Sequence, residues 1–348
     1  MASVPLPNNA AARQDLYRRV AKENFAPLWE VYHSLIPNQP LTPAKPAIWK
    51  YKQARPHLME AGGLITAKEA TRRVLILQNP GMPGESCITQ SLFAGLQLIM
   101  PGEVAPSHRH SQSALRFVVE GNGAYTAVDG ERTTMRPGDF IITPSWTWHD
   151  HGNPGKEPVV WLDGLDVRIV QLFAAQFHEV YPEDMQPISR SEGVSLARFG
   201  NGLAPVNTTA PYGKTSPLFS YPYDRSRESL AKIAKDQDPD PCHGWKLEFI
   251  NPLTGGHAMP TIATFLQLLP KGFRTQPYRS TEGTVYAVAE GEGRARIAGE
   301  SFDFEARDTF VAPSWMPLEL EAKSETVLFS FSDRPGQEAM GLWREKRG

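Results

Sequence analysis

The sequence has few cysteines, no long apolar segment and no excess of charge of either sign. Its two cysteines are Cys87 and Cys242, so we expect no disulfide framework and predict a reducing compartment, the cytoplasm. No apolar run approaches the roughly 18 residues of a membrane span, and the polar N-terminus lacks the apolar core of a signal peptide. The net charge of −2, from 36 basic and 38 acidic residues, gives no reason to expect binding to nucleic acid or to an anionic membrane.

Residues 102–153 contain three histidines with the spacing that a β-barrel needs to hold one metal ion. His108 and His110 are two positions apart, so on a strand they face the same side, and His149 belongs to a later strand. Between them, residues 115–120 and 125–128 are rich in β-branched and aromatic residues and are separated by glycine-containing turns. This pattern predicts a small antiparallel barrel.

The predicted ligand set is neutral. Imidazoles suit Fe, Zn, Cu and Ni, so the ligand type alone does not choose the metal. Three of them leave the charge of a divalent ion uncompensated and several coordination positions free, which fits an anionic, chelating substrate. The alternative is that the histidines lie in the core or on the surface without a metal, and it leaves their matching spacing and parity unexplained.

The same segment resembles the two sequence motifs of the cupin family, formed here by Gly102, His108, His110 and Gly121, and by Gly138, Pro144, His149 and Asn153. One position departs from that pattern. Most cupins carry a glutamate ligand where this chain has Ala114. The resemblance therefore implies a cupin barrel whose metal is held by histidines alone.

The segment recurs once without its histidines. Residues 97–123 align without a gap with residues 267–293, at a constant offset of 170 residues. The flanking Gly, Pro and Trp positions match, whereas the three histidines correspond to Tyr278, Ser280 and Leu318. We therefore expect a bicupin with one metal per chain, held in the first barrel, and a second barrel that serves as scaffold or subunit interface.

Further side chains are expected in the pocket of the first barrel. Arg116 has the strand parity of His110, and a buried arginine needs an anion, either a substrate carboxylate or an internal Asp or Glu. His151 should also turn inward, where it could bind substrate or an oxygen species, transfer a proton or hold a structural role. Gln97 lies in an apolar strand and is either a satisfied core amide or a donor in the site.

Longer segments resemble the gentisate 1,2-dioxygenases, a bicupin family that includes salicylate, substituted-salicylate and 1-hydroxy-2-naphthoate dioxygenases. The resemblance covers nearly the whole chain and lies in residues 72–81, 96–98, 114–117, 146–153 and 161–166. It implies an oxidoreductase with one Fe(II) per subunit, which uses O2 to open an aromatic ring between the carbons that bear the carboxylate and the adjacent hydroxyl. Gentisate would give maleylpyruvate. The resemblance also implies a homo-oligomer, either a dimer or a tetramer.

This resemblance implies roles for individual side chains. Arg72 and Gln97 would bind the substrate, although a solvated helix end is the alternative for Arg72. Asp163 would lie near the pocket and orient His151, unless it is an ordinary turn aspartate. Phe93 stands where some relatives carry Tyr or Trp, which predicts altered tolerance at the far edge of the ring. The expected catalytic residues are His151, Arg116 and Asp163, and Trp146 and Trp148 are expected to pack the barrel.

The expected architecture is mainly β, a bicupin with N-terminal and linker helices. We divide it into an N-terminal helical cap with the first strands, a metal-binding barrel, a linker with helices and a second barrel, over residues 1–90, 91–170, 171–245 and 246–348. Helical periodicity indicates helices at residues 11–35, broken at Pro27, and at about 224–235, with a helix-like stretch at 170–180. Thr66 and Glu69 form a capping-box pattern that predicts a helix through Arg73. Residues 1–10 are expected to be disordered.

Two other functions fit a barrel with three histidines. A zinc hydrolase or lyase would use a metal-activated water, with His151 as the general base. A non-enzymatic bicupin for storage or ligand sensing would tolerate the loss of His108. Oxygen uptake on addition of Fe(II) and an aromatic hydroxy acid separates both from a dioxygenase.

Overall fold

The computed structural model of the chain describes residues 9–348, so the expectation of N-terminal disorder falls mainly on residues 1–8, outside the described part. Within it the helices are α1 Ala10–Lys22, α2 Leu28–Leu35, α3 Tyr51–Leu64, α4 Val167–Leu172, α5 Val194–Phe199, α6 Tyr223–Asp236 and α7 Arg334–Ala339. None of these helices is long and apolar enough to cross a membrane. The predicted helices near residues 11–35 and 224–235 are confirmed.

Chain contacts separate residues 1–41 from residues 42–348. In the described part of the first unit, the Asn9 side chain accepts a hydrogen bond from the Ala12 amide and caps α1. Pro27 directly precedes α2, as the predicted break requires. The hydroxyl of Tyr17 accepts a hydrogen bond of 2.8 Å from the indole of Trp29, which joins the two helices.

The second unit is built from four antiparallel sheets, whose strands are numbered along the chain. The first barrel consists of β12 Ser220–Tyr221, β8 Phe140–Thr143, β5 Ala114–Glu120, β10 Val159–Leu165, β3 Phe93–Ile99 and β2 Val74–Ile76, facing β11 His178–Val180, β4 Val104–His110, β9 His149–Gly152, β6 Tyr125–Val128 and β7 Glu131–Thr134. The second consists of β1 Ala47–Trp49, β19 Thr309–Ala312, β16 Thr284–Glu290, β21 Thr326–Ser332, β14 Ala263–Leu269 and β13 Trp245–Glu248, facing β18 Glu300–Glu305, β17 Glu292–Ile297, β20 Leu318–Ala322, β15 Tyr278–Ser280 and β22 Glu345–Arg347. The bicupin is confirmed.

Strand alternation divides the side chains of each large sheet between two cores. On β5, Phe117 joins a core shared by both barrels, whereas Val118 packs inside the first barrel. The rings of Phe117 and Phe329 stack at 4.4 Å between centroids, so β5 of the first barrel lies against β21 of the second. Arg116 has the parity of Val118 and therefore lies on the inner face of the first barrel.

Strand register confirms the internal repeat. His108 pairs with His149 across β4 and β9, and Tyr278 pairs with Leu318 across β15 and β20. In the second barrel, the positions of His108 and His149 are thus occupied by Tyr278 and Leu318, a phenol and an aliphatic side chain.

The repeat also includes a strand and a helix before each barrel, a correspondence between the two halves that the sequence pattern did not indicate. β1 pairs with β19 of the second barrel, and β12 pairs with β8 of the first, so each repeat adds a strand to the opposite barrel. The helices that follow these two strands, α3 and α6, are likewise each bonded to the opposite barrel. The amide of Tyr51 donates to Asp308, and the amide of Tyr223 donates to Asp139, both at 2.9 Å.

The helix predicted from Thr66 to Arg73 is wrong. Thr66 and Glu69 do exchange the hydrogen bonds of a capping box, but only a turn follows, because Thr71 takes a positive φ of 57°. The helix of this region is α3, which lies earlier and contains Pro56. The helix-like stretch at 170–180 is also only partly helical, since α4 ends at Leu172 and β11 begins at His178.

Candidate metal centre

Three histidines converge inside the first barrel. His108 and His110 project from the same face of β4, and His149 meets them from the neighbouring β9. One nitrogen from each ring lies within 4.8 Å of the other two, which is close enough for a single metal ion to be shared. The sequence prediction of this group is confirmed by its geometry.

Hydrogen bonds on the far side of the rings determine which nitrogens face inward. Nδ1 of His110 lies 2.9 Å from the carbonyl oxygen of Gln112, and Nδ1 of His149 lies 3.0 Å from the carbonyl of Thr147. Each Nδ1 must therefore carry the proton and donate it, which leaves Nε2 with a free lone pair. Nε2 of His149 is buried without a hydrogen-bond partner, as expected of a nitrogen that binds a metal.

The three rings are held in the neutral form that metal binding requires. Burial, reinforced by Arg72 and by neighbouring histidines, holds the pKa of His108 far below its ordinary value. Burial likewise lowers the pKa of His110 to about 4 and the pKa of His149 strongly. At neutral pH no proton has to be displaced from Nε2, so these residues fit a divalent metal.

Arg72 lies at the edge of the histidine group and not on a solvated helix end. Its guanidinium donates 2.9 Å to the carbonyl of Pro106 and lies 3.1 Å from Nε2 of His108. Burial and the nearby Arg116 lower the pKa of Arg72 to about 9, because two cations share one pocket. Its neighbour Arg73 turns the other way and forms a buried ion pair with Glu103.

Arg116 and Asp163 face each other across β5 and β10. Arg116 is 3% exposed, its Nη1 donates to the hydroxyl of Thr143 at 2.5 Å, and its Nε lies 3.6 Å from Asp163 with no hydrogen-bond partner. Burial raises the pKa of Asp163 to about 6, although Arg116 opposes that rise. The internal ion pair anticipated as an alternative exists, yet it leaves the guanidinium with donors to spare.

His151 follows the ligand strand inward, as predicted. Its Nδ1 lies 2.9 Å from Oγ1 of Thr126, and that hydroxyl donates to the sulfur of Met135. Thr126 therefore accepts from Nδ1, and the buried Nε2 presents a lone pair without a partner in the described chain. Asp163 makes no direct hydrogen bond to His151 within residues 9–348, but it accepts one of 3.0 Å from the indole of Trp161, whose ring lies beside His151.

One face of β3 lines the same pocket. Phe93, Gly95 and Gln97 alternate along it and pair with residues of β10 that include Asp163. Gln97 is 2% exposed and makes no side-chain hydrogen bond within residues 9–348, so it is free to act as a donor. A Cβ at Gly95 would lie only 2.4 Å from Val74 and 3.3 Å from Phe93, so no side chain fits there.

Trp146 and Trp148 pack outside the metal centre. Arg109, which faces away from the two neighbouring histidines, lies 4.6 Å from the ring centroid of each tryptophan. This cation–π packing agrees with the interpretation of both rings as structural.

Three residues of the site were missed in the sequence: His178, Thr126 and Thr143. His178 lies on β11, and its Nε2 is 3.4 Å from Nδ1 of His108. Nothing in the local pattern indicates β11, because its pairing with β4 joins segments that are far apart in the chain. Thr126 and Thr143 have the parity of barrel residues and could have been found only once the strands were aligned.

Comparison with known proteins agrees with this geometry. The family model of the cupin domain matches residues 95–165, which span the three histidines. Gentisate 1,2 dioxygenase 1 of Aquipseudomonas alcaligenes is 57% identical over 96% of both chains. A gentisate 1,2-dioxygenase of Streptomyces sp is 38% identical over 96% of this chain and 95% of its own.

Solved structures extend the likeness to the whole fold. The salicylate 1,2-dioxygenase of Pseudoaminobacter salicylatoxidans, determined as an adduct with gentisate, superposes with a TM-score of 0.90 at 33% identity. The match covers 99% of this chain and 96% of the other, and so includes both barrels.

Proposed function

The chain belongs to the gentisate 1,2-dioxygenase family and is a ring-cleaving dioxygenase, and from that premise we propose that His108, His110 and His149 hold one Fe(II). The observation that carries this proposal is a group of three neutral imidazoles, each with its Nδ1 near a hydrogen-bond partner outside the group. The zinc hydrolase and the non-enzymatic bicupin do not agree with this family. When bound, the iron supplies the one-electron and oxygen chemistry of ring cleavage.

The proposed substrate is gentisate or a related 2-hydroxybenzoate. A carboxylate and an adjacent phenolate form a chelating dianion, which matches a pocket with Arg72, Arg116 and Asp163, in which residues 9–348 supply no anionic metal ligand. Arg116 keeps a buried, unpartnered Nε that can bind the substrate carboxylate, and Arg72, beside His108, adds a second positive charge to the pocket. Gln97 supplies a neutral hydrogen bond from the floor of the pocket.

His151 is the proposed acid–base residue. Because Thr126 accepts from its Nδ1, its Nε2 can accept a hydrogen bond or a proton from a ring hydroxyl and later return it. Its low pKa, caused by burial and then by Arg116, keeps the ring neutral before the substrate binds. Asp163 is proposed to hold Arg116 in place and to balance part of its charge.

The test of this function is oxygen uptake by the iron-loaded enzyme. Protein loaded anaerobically with Fe(II) is expected to consume about one O2 per molecule of gentisate, salicylate, 5-substituted salicylate or 1-hydroxy-2-naphthoate that it opens. Mass spectrometry of the product would show cleavage between the carboxylate-bearing and hydroxyl-bearing carbons.

Two controls make that result specific. Protein loaded with Zn(II) should bind the acid without consuming oxygen, and benzoate, which lacks the hydroxyl, should not be opened. If the iron-loaded enzyme left every 2-hydroxy acid intact under oxygen, the proposed function would be wrong.

Phe93 is proposed to shape the far edge of the substrate pocket. It lies at the start of β3, on the pocket face and two positions from Gly95, where no side chain fits. We expect Phe93→Tyr to change the ratio of kcat/KM for 5-substituted salicylates to that for gentisate by about threefold to tenfold, since one buried hydrogen bond contributes about 0.5–1.5 kcal/mol. The matched variant Phe93→Leu should lower both values together. An unchanged ratio in Phe93→Tyr would contradict this role.

We further propose that the chain forms a homo-oligomer, either a dimer or a tetramer, in the cytoplasm. In the described part of the chain, Leu172, Phe173, Phe177 and Val180 are all more than 60% exposed and lie close together in sequence, which is typical of a surface that a second copy covers. The buried free thiols of Cys87 and Cys242 are consistent with a reducing compartment. Light scattering of the purified enzyme would give the number of subunits.

A further inference from the structure

A fourth imidazole lies beside the proposed metal ligands. His178 comes from β11, in the segment between the two barrels, and its ring lies 5.1 Å from the ring of His108 between centroids. Nε2 of His178 lies 3.4 Å from Nδ1 of His108. The contact therefore involves Nδ1 of His108, the counterpart of the Nδ1 atoms that lie near backbone carbonyls in His110 and His149.

The segment around His178 is fixed to the strand that carries the ligands. The amide of Ser111 donates to the carbonyl of Phe177 at 3.1 Å, and the amide of Tyr181 donates to the carbonyl of Ser107 at 3.0 Å. Glu179 accepts a hydrogen bond of 2.8 Å from Arg109, which adds an ion pair across the two strands. Backbone pairing on both sides thus holds His178 opposite His110.

The second barrel contains the same arrangement with different chemistry. β22 pairs with β15 and places Glu345 opposite Ser280, as β11 places His178 opposite His110. The hydroxyl of Tyr278, which occupies the position of His108, donates to Glu345 at 3.0 Å. In both barrels an added edge strand supplies a hydrogen-bond acceptor for the same structural position.

A metal-bound imidazole needs such an acceptor. When Nε2 binds a metal, Nδ1 carries the proton, and a partner for that N–H fixes the ring and strengthens the ligand. His110 and His149 use backbone carbonyls for this purpose, whereas the partner of His108 is His178. An imidazole acceptor adds no negative charge to a pocket that has to receive a dianion.

We propose that His178 is a positioning residue: its Nε2 accepts a hydrogen bond from Nδ1–H of His108 and so sets the affinity of the centre for its metal. This inference rests on the three-histidine site proposed above. Because His178 acts on the ligand His108 and not on the substrate, its effect can be measured as the affinity for the metal in the absence of turnover.

The test compares His178→Leu with His178→Gln. The glutamine side chain can place an acceptor close to the position of Nε2, whereas leucine fills similar space without one. We expect His178→Leu to raise the metal dissociation constant about 10-fold to 100-fold, which is typical for the loss of such a partner. His178→Gln should recover most of that loss. The dissociation constants for Fe(II) and Co(II) are measured by competition with a chelator, and the Co(II) absorption spectrum reports any change in ligand geometry.

Controls separate this role from a general loss of structure and from failure of the metal site itself. Glu345→Gln changes the equivalent residue of the second barrel and should leave the metal dissociation constant unchanged, and the melting temperature of the metal-free variants should stay close to that of the wild type.

If the wild type bound no metal at its histidines, the site proposal would fail. If the wild type bound metal while the Leu variant bound it equally well, or the Gln and Leu variants were equally impaired, His178 would have no positioning role. Should His178→Leu not fold, His178→Ala against His178→Gln gives the same comparison.

Discussion

Replacing His110 with alanine is expected to abolish metal binding and ring cleavage. The structure offers one nitrogen from each of three rings and, within residues 9–348, no carboxylate in that group, so each ring supplies a third of the protein donors. Structural zinc sites of a few donors bind with about 10–16 kcal/mol, so the loss of one donor in three removes on the order of 3–5 kcal/mol. That corresponds to a roughly 100-fold to 5,000-fold weaker metal affinity. Metal content by mass spectrometry and oxygen uptake would measure both effects.

The second barrel provides a matched control for this substitution. Ser280 occupies the position of His110 in the repeat, so Ser280→Ala should leave the metal content at one ion per chain and the activity at the wild-type level. If His110→Ala kept its metal, or if the wild type carried two ions per chain, the assignment of a single site to the first barrel would be wrong.

Replacing Arg116 with methionine is expected to reduce kcat/KM by about 30-fold to several thousand-fold, while the metal content stays normal. Truncating one partner of a buried charge pair costs about 2–5 kcal/mol, part of which is the cost of leaving the other charge unpaired. Here Asp163 would be left buried, and its pKa should rise further without Arg116 to oppose burial. The substrate carboxylate would lose its guanidinium partner at the same time.

Steady-state oxygen uptake with the preferred acid gives kcat/KM, and metal analysis of the same samples shows whether the centre is intact. Arg116→Lys keeps the charge but cannot reproduce the planar donors, so it should recover only part of the loss. Tyr286 stands at the position of Arg116 in the second barrel, and Tyr286→Phe should have little effect. A normal kcat/KM in Arg116→Met would show that the carboxylate is bound elsewhere.

The metal centre could be predicted from the sequence because it depends on short-range geometry. His108 and His110 share a face through strand alternation alone, and the repeat locates the same positions in the second barrel. Arg116 and His151 follow from the same parity argument, and the structure places both inside the pocket. Each of these inferences needs only the period of a strand.

The errors arose where distant segments decide the outcome. The capping box of Thr66 and Glu69 forms, yet the chain leaves the helical conformation at Thr71, after which Arg72 contacts His108 and Arg73 pairs with Glu103. His178 could not be identified at all, since its importance comes only from the pairing of β11 with β4.

The exchange of strands between the repeats means that neither half of the molecule is self-sufficient. A protein cut in the connection before residue 246 would yield a C-terminal fragment without β1 and without the residues that follow it, Lys50 and Tyr51, which bond to Asp308 across 258 and 257 positions of chain. The N-terminal fragment would in turn lose Asp308, which accepts from the amide of Tyr51 at the start of α3. We expect the two fragments to be unstable alone and to recover activity when mixed. Contacts that span so much of the chain also imply slow folding, because they form only after most of the polypeptide has been made.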